Sequence, residues 1–234
     1  MPRIPRLVIP GVPHHITHRG NNRERVFNND SDHRAYLELL QKYAPEHGLA
    51  IMGYCLMPNH IHLVAIPNDQ DSLAKVLGRA HARYAQLFNW RHNRCGHLWQ
   101  GRYFSCALDE AHLVAAMRYV ERNPARAGMV ELPWDYHWSS AISHLGQRDL
   151  FGLLELEKWS KEWPPEVWRE MLLQSEEEKQ LAALRQCTRT SRPLGSESFI
   201  SELEALLGRR IRPLPTGRPR RPRYKRSLQK CAQK

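Results

Sequence analysis

Residues 57–65 read "MPNHIHLVA", and the placement of this stretch decides most of what surrounds it. Side chains alternate across a β-strand, so His60 and His62 share one face with Val64 and Ile66, while Ile61, Leu63 and Ala65 share the other. Pro58 and Asn59 suit the centre of a tight turn, Pro by presetting φ and Asn by tolerating the left-handed region. The preceding "LAIMGYCLM" (49–57) therefore pairs antiparallel with the histidine strand over 60–66. A lone buried histidine is ordinarily structural, satisfied by a backbone carbonyl. Two imidazoles in register near a strand end are a different case, because their ring nitrogens converge on one spot and can hold a divalent cation.

Working outward, "VPHHITHRG" (12–20) alternates as a strand and "RGNNR" after it has the Gly and Asn of a loop. Ser31 or Asp32 can cap a helix whose apolar positions are Tyr36, Leu39, Leu40 and Tyr43, with Pro45 and Gly48 ending it. Asp71 or Ser72 opens a second helix with Leu73, Val76, Leu77, Ala80, Tyr84, Leu87 and Phe88 on one stripe. "HLWQGRYFSCAL" (97–108) reads as one or two strands interrupted near Gly101. Asp109 caps a third helix, "EAHLVAAMRYVERN", which is expected to stop at Asn123 because Pro124 disfavours helical geometry in the residue before it. This order predicts an α+β fold over residues 1–138, an antiparallel sheet covered by helices. Residues 139–207 read as a helical C-terminal extension, with one helix over 176–187 and another from a Ser196 cap to Gly208.

Charge divides the chain in the same way. Residues 1–138 carry 16 Lys and Arg against 12 Asp and Glu, and residues 139–207 carry 8 against 12. The last 27 residues carry 11 basic groups and no acid, so the net charge of +11 resides in them. Such a segment has too few apolar groups and too much self-repulsion to build a core, and 208–234 reads as a basic tail suited to polyanions. No charged-then-apolar leader and no apolar run near 18 residues is present, which gives membrane spanning and secretion no support. Five cysteines without a CxxC pair fit a reducing cytoplasm.

On the third helix, Leu113, Met117 and Val120 form the buried stripe, and Tyr119 and Asn123 stand one turn apart on its flank. Beside a cation held by His60 and His62, the Tyr119 phenol is a candidate nucleophile and the Asn123 amide oxygen a candidate third ligand.

"MPNHIHLVA" resembles the His-hydrophobic-His motif of the HUH endonuclease superfamily, and "YVERNPARAGMV" resembles the tyrosine helix of its single-tyrosine transposases. With "HHITHRGNNR", "GHLWQGRYFS", "WDYHWSS" and "RPLGSESFISELEALLGRRIR" in order, the chain is similar to the REP-associated tyrosine transposases from about residue 8 to about 220. His18 departs from the pattern of many relatives, which carry Gln or a second strand-like residue there. The resemblance implies a ferredoxin-like HUH nuclease fold. It also implies metal-dependent cleavage and rejoining of single-stranded hairpin DNA, with Tyr119 linked to the 5′ phosphate. Mg²⁺ or Mn²⁺ would sit on His60, His62 and Asn123, with Mn²⁺ favoured by two imidazoles on ligand softness. It implies a cytoplasmic protein associated with the bacterial nucleoid, acting as a monomer, with a dimer that exchanges tyrosine helices left open.

For DNA contacts, "WRHNRCGHLWQGRYF" (90–104) interleaves aromatics with Arg91, Arg94 and Arg102, and Trp99 is expected to stack on bases. Arg19, Asn21, Asn22 and Arg23 of the "RGNNR" loop can reach phosphate or base edges, as can Arg126. In the tail, "TGRPRRPR" is similar to the Gly-Arg-Pro core of AT-hook peptides, with Arg218, Arg220 and Arg221 facing a minor groove. Two other readings stay open: a hydrolase in which the histidine pair activates water, and a DNA-binding protein without catalysis.

Overall fold

The computed structural model describes residues 7–213, so Arg218, Arg220 and Arg221 lie outside the described residues. The chain enters the sheet at β1 (His14–Arg19). β2 (Leu49–Met57) and β3 (His60–Pro67) form the hairpin that the alternation and the Pro58–Asn59 turn predict, with Met57 opposite His60. β4 (Phe104–Ala107) completes a four-stranded antiparallel sheet in the order β2-β3-β1-β4. Gly20, at the end of β1, must be glycine: a Cβ there would run into the Glu24 carbonyl and lie 2.7 Å from Val26 Cγ1.

The period-2 pattern sorts the two faces of the sheet. Ile61, Leu63 and Ala65, with Ile16 and Leu56, pack against Tyr36, Leu40, Val76, Leu77, Tyr84 and Phe88. Those partners come from α1 (Asp30–Glu46) and α2 (Ser72–Arg91). On the opposite face Cys55, Val64 and Cys106 pack with Met117 and Val120 of α3 (Glu110–Glu121). Each large apolar side chain buried in this way contributes about 1.5–3 kcal/mol, so both layers hold the sheet between them. Gly53 lets α3 approach β2 closely, since a Cβ there would lie 2.7 Å from Met117 Cε.

Local differences from the sequence reading have local causes. α1 starts before Ser31 because Asn29 is the cap, its side-chain oxygen accepting the Asp32 N–H at 3.0 Å. Pro45 lies inside the last turn of that helix instead of ending it. The expected strand over 97–108 is a strand only from Phe104. Residues 98–100 are held as a loop beside β1, with the Asn21 N–H on the Leu98 carbonyl and the Gln100 N–H on the Arg19 carbonyl, both at 2.8 Å, before Gly101 turns at φ 64°. α3 does stop near Asn123, but a four-residue helix α4 (Asn123–Arg126) begins at once. Pro124 sits in its first turn, where a missing N–H costs nothing.

Five short helices follow: α5 (Ala141–His144), α6 (Leu156–Glu162), α7 (Pro165–Leu173), α8 (Glu178–Thr190) and α9 (Glu197–Leu207). α9 is capped by Ser196, whose hydroxyl accepts the Phe199 N–H at 3.2 Å, and closes at Gly208 with φ 59°, both as the sequence predicts. α8 lies against β4 and β1. Ile211, just past α9, is buried with Leu7, Ile9, Ile200 and Leu203, so the first residues of the basic segment are packed. No helix among the described residues is long and apolar enough to cross a membrane.

Candidate active site

Strand β3 places His60 and His62 side by side, ring centroids 4.9 Å apart. In each ring Nδ1 is occupied. His60 Nδ1 meets the Asn59 side-chain oxygen at 2.6 Å, and His62 Nδ1 meets Nε2 of His15 at 2.9 Å. Both rings are thereby oriented with Nε2 as the remaining nitrogen, the geometry in which a histidine serves as a ligand. Burial lowers the pKa of His60 to about 4, helped by the charge of Arg19. His62 is held well below 6.5, foremost by burial and then by its neighbours His60 and His15. Both rings are therefore neutral at physiological pH.

The phenol faces this pair because α3 crosses above β3. The Tyr119 ring lies edge-on to His62, centroids 5.5 Å apart, and edge-on to His15 at 5.7 Å. Arg126 covers the Tyr119 ring, with Cζ 4.3 Å from its centroid. The guanidinium is fixed by donating to the Tyr119 carbonyl at 2.7 Å and to the Glu176 carboxylate at 2.6 Å. Asn123 is buried beyond Tyr119, and its Nδ2 finds no partner among the described residues. Amide oxygen and nitrogen exchange on a flip, which would turn Oδ1 to that orphaned position. Among the described residues no group of three His, Cys, Asp or Glu side chains gathers to hold a metal. Two neutral imidazoles fit a divalent cation all the same, and Asn123 is a buried amide four residues on from Tyr119.

The other residues singled out in the sequence are spread over the molecule. Arg19 is exposed and pairs with His60 in the ladder. Asn22 and Arg23 are exposed in a tight turn with φ of 51° and 61°, and Asn21 is half-buried beside them. Arg91 donates to the Ser31 carbonyl at 3.1 Å, and Arg94 pairs with Glu24. Arg102 stands exposed at the rim of a groove of about 400 Å³. Trp99 corrects the expectation of an open stacking platform: it is 8% exposed, stacked on His18 at 4.7 Å, with Nε1 donating to the His81 carbonyl at 3.2 Å. Trp90, at 79% exposure, is the tryptophan of that stretch that faces solvent. The sequence reading missed His15, Arg185 and Thr188. Arg185 Cζ lies 5.6 Å from the Tyr119 ring centroid, and Thr188 Oγ1 is 2.8 Å from His15 Nδ1.

The buried imidazoles make a pH prediction. Burial holds His14 to about 4 and His15 to about 3, as it holds His60 to about 4. The unfolded chain takes up protons below about 6.5 that the folded chain excludes, so stability rises with pH across this window. The contribution is fully present above about 6.5 and is lost as pH falls through 4. Urea midpoints measured at pH 7.5 and 5.0 are expected to drop at the lower pH, and equal midpoints would contradict the burial of these rings.

Residues 10–123 match the family model of IS200-like transposases. Among curated proteins none matches the chain. A structure of a REP-associated tyrosine transposase bound to a REP hairpin is similar at 18% identity and a TM-score of 0.51, covering 67% of this chain and 90% of that one. A candidate transposase from Deinococcus radiodurans R1 is similar at 19% identity, covering 51% of this chain and 96% of that one, with a TM-score of 0.37. The matched segment contains β1 to β4 and both histidines, and it ends at Asn123, just past Tyr119. Over residues 10–123 the chain is similar to the IS200-like transposases.

Proposed function

We propose that this transposase cleaves and rejoins one strand of hairpin DNA through a phosphotyrosine at Tyr119, with His60, His62 and Asn123 holding a divalent cation. The observation that carries this reading is the meeting of the Tyr119 ring with two imidazoles whose Nδ1 atoms are both engaged. The phenol oxygen attacks phosphorus, and the bond from phosphorus to the 3′ oxygen breaks. The phenol gives up its proton and the departing oxygen takes one up, leaving a 3′-OH and a 5′ phosphate esterified to Tyr119. The ester conserves the bond energy, so reversal joins strands without a nucleotide cofactor. A bound cation supplies positive charge to the scissile phosphate oxygens. Arg126, clamped over the Tyr119 ring, keeps the phenol from swinging away.

The hairpin substrate is supported by the REP hairpin in the similar structure. Arg19, Asn21, Asn22, Arg23 and Arg102, with the exposed Trp90, are the groups we assign to the DNA path. We assign catalysis to residues 1–138 and affinity to the basic tail. The test uses a hairpin oligonucleotide labelled on the 3′ side of the cut, incubated with the full chain and Mn²⁺. A band of protein and DNA that survives denaturant is expected, and chelator should abolish it. Nicking without such a band would point to an activated water and overturn the reading.

A further inference from the structure

Helix α8 lies outside the matched family segment, yet two of its side chains, one turn apart, reach the site. Thr188 is buried at its end, with Oγ1 2.8 Å from His15 Nδ1. His15 Nε2 in turn meets His62 Nδ1 at 2.9 Å. A neutral imidazole has one N–H and one lone pair, so this chain of bonds can run in only two directions. If the Thr188 oxygen accepts from His15 Nδ1–H, then His15 Nε2 accepts from His62 Nδ1–H, and His62 Nε2 is left as a lone pair. In the reverse direction His62 Nε2 carries the hydrogen and cannot act as a ligand.

Only the first direction lets His62 Nε2 act as a ligand, and Thr188 can sustain it. Cys106, beside Thr188, donates its thiol to the Ala107 carbonyl at 3.5 Å. A hydroxyl oxygen can accept whichever way its own hydrogen points, so the Thr188 oxygen is able to accept from His15 Nδ1–H. Arg185, one turn earlier on α8, is exposed, with Cζ 5.6 Å from the Tyr119 ring centroid. The Tyr119 phenol beside it is the foremost cause raising the pKa of its guanidinium. Its other partner is the Glu178 carboxylate at 3.1 Å.

From this we infer that α8 is a working part of the active centre: Thr188 and His15 are positioning residues that turn the lone pair of His62 Nε2 toward the cation, and Arg185 is a catalytic residue that sets its positive charge beside the Tyr119 phenol. The inference rests on the phosphotyrosine reading above. Negative charge on the phenol oxygen during attack falls beside a fixed cation that DNA can approach from solvent.

The test separates the two roles in the full chain. Mn²⁺ affinity is measured by titration calorimetry without DNA for wild type, Thr188→Val and Thr188→Ser. Removing the hydroxyl is expected to weaken Mn²⁺ binding at least about 10-fold, as for other partners of metal-bound histidines, and Ser is expected to restore it. Arg185→Gln should bind Mn²⁺ as wild type does but form the covalent adduct roughly 10²-fold more slowly in a single turnover. Unchanged Mn²⁺ affinity in Thr188→Val, or wild-type adduct rates in Arg185→Gln, would overturn the corresponding role. If Thr188→Val fails to fold, Arg185→Gln on the solvent side of α8 still decides whether the helix takes part. A wild-type protein that binds Mn²⁺ but forms no adduct would overturn the phosphotyrosine reading and the role of Arg185, leaving Thr188 to be judged by affinity alone.

Discussion

Tyr119→Phe is expected to abolish both the nick and the covalent adduct, by at least about 10⁴-fold, because a positioned nucleophile has no substitute in its own site. The change removes one oxygen and little else. The ring keeps its edge-on contacts with His15 and His62 and its cover by Arg126. Arg126 stays fixed because its bonds go to the Tyr119 carbonyl and to Glu176, neither of which the substitution touches. Folding and hairpin binding should therefore survive, which distinguishes lost chemistry from a lost protein. Tyr103→Phe and Tyr136→Phe serve as controls. Tyr103 is buried with the core on the other side of the sheet, and the Tyr136 hydroxyl donates to the Leu56 carbonyl at 2.8 Å. Tyr136→Phe should cost about 1 kcal/mol of stability and leave cleavage intact. The measurement is single-turnover cleavage of a labelled hairpin resolved on a denaturing gel, and nicking that persists in Tyr119→Phe would remove this residue from the mechanism.

How much of this was readable beforehand follows from how far each signal reaches along the chain. The β2–β3 hairpin and the shared face of His60 and His62 are local: alternation and a two-residue turn determine them, and the structure has both. The Ser196 cap and the Gly208 stop are local for the same reason. His15 is a different problem. "HHITH" offers three imidazoles, and which of them meets His62 depends on the register that sets Thr17 opposite His62, a contact between segments 45 residues apart. The stretch from His97 to Tyr103 misled because its aromatics and arginines imitate a strand, whereas Leu98 and Trp99 turn into the core before Gly101 breaks the path. Leu181 and Leu184 mark α8 as amphipathic in sequence. Nothing in that pattern says that the buried face, continued to Thr188, would land on His15.

The largest loss of stability is expected two residues from Tyr119, at Glu121. Its side chain is fully buried, 0% exposed, on the side of α3 that faces the C-terminal helices. One carboxylate oxygen accepts from the Ser140 hydroxyl and from His144 Nδ1, both at 2.5 Å. The other accepts from Trp168 Nε1 at 2.8 Å. Three donors, from the start of α5, from α5 itself and from α7, thus converge on one acceptor that α3 supplies. Glu121→Ala strands His144 Nδ1 and Trp168 Nε1 in an apolar layer containing Trp159 and Leu172, while the Ser140 hydroxyl falls back on the Tyr54 carbonyl at 3.3 Å, and loss of the partner of such a buried group costs about 3–5 kcal/mol. Glu121→Gln keeps one acceptor oxygen but turns an NH₂ toward a donor, so an intermediate loss is expected. Urea unfolding followed by tryptophan fluorescence reads this layer directly, because Trp168 packs edge-on against Trp159 at 4.9 Å. A loss below about 1 kcal/mol in Glu121→Ala would mean that the carboxylate does not bind the layers together. The same bonds tie the C-terminal layer to the helix carrying Tyr119, so adduct formation should fall in these variants at temperatures where the domain of residues 10–123 is still folded. Loss of chemistry at intact Tyr119, His60 and His62 is what detachment of α8 from the site would produce.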